Sequence, residues 1–144
     1  MNTMRFFKWV GVAAMLSVVV SGAGAGIARA QGTPTFSIIS WSTDPVELER
    51  GKEFDLTFSF SNVGSAPASE VTVNLGSNSN FTSLSPTQYV GGLGSNVPVT
   101  IKLRVAVSNT ITTGHHALPI LFTFQTDDFM HTPGSESREI GLSV

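Results

Sequence analysis

The chain has no cysteine. That excludes disulfides, thiol nucleophiles, cysteine-ligated zinc and lipid attachment through an N-terminal cysteine. Charge is scarce as well. Only 12% of the 144 residues are charged, with 8 basic against 10 acidic. A nucleic-acid binder carries a basic patch, and there are too few basic residues here to build one. Tryptophan and tyrosine are rare beside ten phenylalanines. No Gly-x-Ser-x-Gly elbow is present. The glycine-rich stretch from Gly91 to Gly94 lies between extended segments, not ahead of a helix, so it is not a phosphate cradle. A small hydrolase would need a nucleophile, base and acid, and no such set can be assembled. The chain is read as a non-enzyme with no cofactor and no metal.

Residues 1–30 stand apart from the rest. Arg5 and Lys8 give a positive start, Trp9 to Val20 is an uncharged apolar run, and a stretch of mostly small residues ends in Ala28-Arg29-Ala30. This is the order of a secretory signal with cleavage after Ala30. The alternative is a retained membrane anchor, because no charge falls between Trp9 and Ile27. The Gly/Ala/Ser-rich second half favours cleavage, since an anchor stays bulky throughout. In both cases the positive end stays inside and the domain crosses. The protein is therefore expected outside the cytoplasm, secreted or associated with the cell surface. Without Arg5, Lys8 and Arg29, residues 31–144 carry a net charge of −5. They form one domain, long enough to bury a core without disulfides.

What is abundant is alternation. In Glu53 to Asn62, EFDLTFSFSN, Phe54, Leu56, Phe58 and Phe60 share one parity and Asp55, Thr57, Ser59 and Ser61 the other. A strand turns successive side chains to opposite faces, so this segment is a strand with one aromatic face that a second layer must cover. Before it, Thr35 to Ser42 reads as a first strand ended by Asp44-Pro45, and Val46 to Leu48 as a resumed extended run. After it, Asn62 to Pro67 holds turn formers, and Val71, Val73 and Leu75 mark a third strand. Phe81 to Leu84 is a short strand and Gln88 to Val90 a brief extended piece. Val97 to Val107 is the longest alternation. A further strand runs through His116, Leu118, Ile120, Phe122 and Phe124, with Pro119 placing its first half at an edge or a bulge. Thr126 to Ser137 reads as a twelve-residue loop, and Ile140, Leu142 and Val144 as a final strand. About seven strands with turn signals every eight to twelve residues and no helix describe an all-β, Ig-like Greek-key sandwich. A small closed barrel is the alternative, disfavoured by one-sided alternation and uneven connections.

From Pro45 to Val144 the order of signals resembles the bacterial and archaeal Ig-like domains of the CARDB and NEW3 kind, found in S-layer-associated and other surface proteins. The resemblance rests on Pro45-Val46 through Arg50-Gly51, Phe54-Asp55-Leu56, and Asn62-Val63-Gly64-Ser65-Ala66. It continues through Ala68 to Val73, Tyr89 to Leu93, and Gly114 to Leu118. Asn-x-Gly after an alternating strand is its most telling piece. The resemblance implies a non-catalytic module that spaces, adheres or scaffolds, with no catalytic residue to carry over. The chain departs from the pattern in standing alone, without an internal repeat, and in the long loop from Thr126.

Candidate sites are few. His115 and His116 point to opposite faces of a strand and cannot share a metal without a bend; one exposed and one packed is the expectation. Asp127-Asp128 has too few neighbouring carboxylates for a calcium site and reads as solvated loop. Asn80-Phe81-Thr82 fits a glycosylation sequon. Phe129, Met130 and His131 place apolar side chains in a loop, where immunoglobulin-like domains often bind. The plainer expectation is that they fold back over the end of the sandwich; the sharper one is that they contact a partner. That partner would be a surface or extracellular protein or an envelope polysaccharide, with membrane engaged only through an uncleaved N-terminal segment. The rival function is a carbohydrate-binding module, which needs Trp41 or Tyr89 exposed. The mass of the secreted protein should correspond to an N-terminus at Gln31; a species beginning at Met1 in the membrane fraction would instead mean a retained anchor.

Overall fold

The computed structural model describes residues 32–144, so the expected signal over residues 1–30 lies outside the described residues. Eight strands follow one another: β1 (Phe36–Asp44), β2 (Glu53–Asn62), β3 (Ala68–Leu75), β4 (Phe81–Ser83), β5 (Gln88–Leu93), β6 (Pro98–Val107), β7 (His115–Thr126) and β8 (Pro133–Ser143). Among the described residues there is no helix. One antiparallel sheet has the order β1-β2-β6-β4 and the other β5-β3-β7-β8, and they pack as a sandwich.

The alternations do what their spacing requires. Phe54, Leu56, Phe58 and Phe60 of β2 are all buried, as are Leu103, Val105 and Val107 of β6. From the facing sheet come Val71, Val73, Leu118, Ile120, Phe122, Ile140 and Leu142. The phenylalanines meet across the two layers. The rings of Phe36 and Phe122 stack at 4.8 Å, and Phe60 lies 4.9 Å from Phe122. Such offset or tilted pairs add to the burial of area alone. On the outer face of β2 and β6, Lys102 pairs with Asp55 at 2.8 Å and Arg104 with Glu53 at 2.9 Å. The Lys102 ammonium, through its hydrogen bond first, holds the Asp55 carboxyl below its ordinary value.

Three departures from the sequence reading have physical causes. The strand count is eight because Gln88 to Leu93 is a full edge strand. A register shift between Val71 and Thr72 against β5 breaks its alternation. The Val46 to Leu48 run is not a strand; only Leu48 of that stretch is buried. The loop from Thr126 is six residues, not twelve, because β8 begins at Pro133 and zips onto β7 from Gln125↔Pro133 onward. The first half of β8 was hidden because its inward positions are not apolar. Gly134 faces Phe124, and a Cβ there would come within 2.6 Å of that ring. Glu136 and Arg138, next on the same face, turn to the edge strand of the other sheet. Glu136 Oε2 accepts from the Phe36 N–H at 2.8 Å, and Arg138 Nε donates to the Phe36 carbonyl at 2.7 Å. The two side chains also pair with each other. Inward charges of this kind close an edge that would otherwise invite another strand.

Pro119 sits as expected. β3 pairs with β7 only from Ile120 onward, so the first half of β7 has β8 alone as partner. β1 carries a register shift between Ile38 and Ser40, which explains apolar residues on both its faces: Phe36 is buried and Ile39 is exposed.

Phe58→Ala should lower stability by about 3–5 kcal/mol in denaturant unfolding, since a whole ring is removed from a closed core. Asp55→Ala, on the solvent face, should barely move the midpoint. Equal losses at the two sites would contradict the register.

Candidate functional site

One end of the sandwich gathers the residues of interest. There β1, β3, β6 and β8 begin and β2, β5 and β7 finish. The described chain also enters there, at Gly32. Three connections cap this entry end: Val63 to Pro67, Gly94 to Val97, and Asp127 to Thr132.

Asn62, last residue of β2, is fully buried and ties the first two of them to the lead-in. Its Oδ1 accepts from the N–H groups of Thr35 at 3.1 Å and Gly64 at 2.9 Å. Its Nδ2 donates to the carbonyls of Ala66 at 2.8 Å and, more weakly, Leu93 at 3.4 Å. Both lone pairs and both N–H groups of the carboxamide are thus engaged. Its own carbonyl accepts from the Asn96 N–H at 2.7 Å. Ser95 Oγ donates to the Gly64 carbonyl at 2.9 Å. Gly64 is needed by close approach: a Cβ there would stand 2.2 Å from the Thr33 carbonyl oxygen. This is the physical content of the Asn-x-Gly signal.

The Asp127–Thr132 tip is built, not merely linked. Thr126 N–H donates to the Thr132 carbonyl at 2.9 Å, and Thr132 N–H to Thr126 Oγ1 at 3.0 Å. Asp128 Oδ1 accepts from the Met130 N–H at 3.0 Å, and the Asp128 carbonyl from His131 N–H at 3.2 Å. Desolvation raises the Asp128 carboxyl, but hydrogen bonds from Thr126 and from the Met130, Thr132 and His131 amides outweigh it, and the group lies below its ordinary value. His131 takes a left-handed φ of 46°, which closes the turn.

On this frame Phe129 is 96% and Met130 77% exposed, and His131 is exposed. They do not fold back over the sandwich end, so the plainer expectation is corrected. The six-residue hairpin is too short, and its turn too fully hydrogen-bonded, to bring them down onto the core. Val63 and Val97, from the other two connections, are also half exposed.

The remaining candidates are dispersed. His115 is exposed, with Nδ1 2.7 Å from Ser143 Oγ. His116 is half-buried at the far end of the sandwich, edge-on to Phe81. Its Nε2 lies 2.7 Å from the Thr112 carbonyl, so that nitrogen carries the proton. Among the described residues no group of three or more His, Asp or Glu could hold a metal ion. Trp41 and Tyr89 are 46% and 66% exposed, so the carbohydrate-binding rival keeps its aromatics. They form no common platform, because β1 and β5 are edge strands of different sheets on opposite sides of the sandwich. Trp41 borders an open groove of about 370 Å³ with Val46, Leu48 and Leu142. Tyr89 lies near Glu70, whose charge first of all pushes the phenol up.

No protein-family model matches the chain, and no curated protein matches it.

Asn62→Ala removes four hydrogen bonds at one buried point and leaves backbone groups without partners. It should cost about 2–4 kcal/mol in denaturant unfolding, far more than an ordinary polar truncation. Asn62→Asp keeps the acceptor but loses both donations and should not restore stability.

Proposed function

We propose that the chain is an exported, non-catalytic, Ig-like module that attaches to a component of the cell surface through the tip Phe129-Met130-His131. The observation that carries this reading is the tip itself. A hairpin turn closed by hydrogen bonds from the Thr126, Met130, His131 and Thr132 N–H groups presents two large apolar side chains to solvent. Recognition tends to sit on loops held by a rigid scaffold. The strand order β1-β2-β6-β4 over β5-β3-β7-β8 supports the Greek-key sandwich and, with the residues quoted above, the CARDB/NEW3 resemblance. The order of charge, apolar run and small residues in the first thirty positions supports export.

A second reading has one observation in its favour. Exposed Trp41 beside an open groove is the kind of surface on which a sugar ring stacks. In that case Trp41→Ala would abolish binding to envelope polysaccharide and the tip would be irrelevant.

The double change Phe129→Ser, Met130→Ser separates the two. Because both side chains are already in water, stability should stay within about 0.5 kcal/mol of the parent. Attachment to cells should be lost, while Trp41→Ala should leave it intact. The opposite pattern would move the site to the groove.

A further inference from the structure

We infer that the surface component met by the tip is the lipid bilayer itself, with the entry end of the sandwich resting on uncharged or zwitterionic lipid and Phe129 and Met130 seated in its interface. The inference rests on the reading that the tip is the contact surface, and three further observations carry it. The first is how the apolar residues are spread. Val63, Val97, Phe129 and Met130 come from three different connections and all project at one end. A bilayer asks for apolar area without directional partners, whereas a protein hot spot pairs apolar anchors with a polar, hydrogen-bonding rim.

The second is charge. The segments from Gly32 to Thr35, Val63 to Pro67, Gly94 to Val97 and Asp127 to Thr132 contain no lysine and no arginine. Their only carboxylates are Asp127 and Asp128, and that of Asp128 is engaged by the turn it closes. Arg138, near the same end, is paired with Glu136, so these four segments offer no cation to anionic headgroups, which sets the lipid preference. The basic residues Arg50 and Lys52 lie at the far end, in the connection between β1 and β2.

The third is where the chain comes in. Gly32 lines one cleft with Ala66, Thr126, Asp127 and Asp128, so the polypeptide reaches the sandwich beside the tip. The apolar run Trp9 to Val20 ends only a dozen positions before Gly32. Even fully extended, a linker of that size spans at most about 40 Å. A chain held by that run would keep this end, where it enters the sandwich, within that distance of the membrane. A chain released by cleavage keeps the same apolar end.

The absence of cysteine allows a clean test with the full chain. Asp127→Cys, labelled with an environment-sensitive nitrobenzoxadiazole dye, reports at the tip, and Glu49→Cys reports at the far end. In phosphatidylcholine vesicles the dye at 127 should shift to the blue and be quenched by lipid-borne nitroxide, while the dye at 49 stays as in water. A chain merely tethered by its N-terminal run would leave both dyes in water, so this readout separates seating from tethering. Adding Phe129→Ser and Met130→Ser should reduce the response at 127 by about tenfold or more. A silent dye at 127, in a protein whose attachment to cells still depends on Phe129 and Met130, would overturn the bilayer and keep the tip. A response at 127 that needs no vesicles and grows with protein concentration would assign the tip to a second copy and overturn the inference. Cell attachment that survives the double serine change would overturn the tip reading as well.

Discussion

The carboxamide of Asn62 meets four backbone groups drawn from the lead-in, the β2–β3 connection and β5. No other described side chain is both fully buried and polar. An amide in that position is destabilising unless every donor and acceptor is matched, and here each one is. The consequence is geometric. The connection from Val63 to Pro67 is held against the lead-in on one side and the Gly94–Val97 connection on the other. The lead-in and these two connections are therefore held as one surface, and the tip from Asp127 to Thr132, closed by its own hydrogen bonds, stands beside it.

The rest of the molecule gives this end a rigid support. Stacked and tilted phenylalanines from both sheets fill the middle, so neither sheet can slide without opening the core. The β1–β8 side is closed by Glu136 and Arg138 gripping the main chain of Phe36. This grip lies near the same end as Asn62, because Phe36 pairs with Asn62 across β1 and β2. Core, edge and end are thus coupled through neighbouring residues.

Much of this was legible in the sequence. The alternations of β2, β6 and β7 gave their buried faces directly, and Pro119 marked the half of β7 that lacks a partner from β3. What was hidden follows a common cause: inward positions occupied by residues that are not apolar. The first half of β8 carries Gly134, Glu136 and Arg138 on its inner face, so no hydrophobic period announces it, and the neighbouring loop looked twice its length. The shifts in β1 and β5 scrambled parity in the same way. At the candidate site the residues Phe129, Met130 and His131 were found by their composition. Their exposure was not, because it depends on a hairpin whose second strand could be read only in its latter half. Asn62 was visible as turn chemistry; its role as the meeting point of the entry end needed the fold.

The claim that everything else leans on is that the entry end is preformed in the isolated protein. Native-state hydrogen exchange of the Thr35, Gly64, Asn96 and Met130 amides tests it most directly. Slow exchange is expected at all four without any partner, with Thr35 and Gly64 released by Asn62→Ala while core amides of β2 and β6 stay protected. Exchange at free-peptide rates in the parent protein would show that these loops are ordered only on binding, and would contradict it.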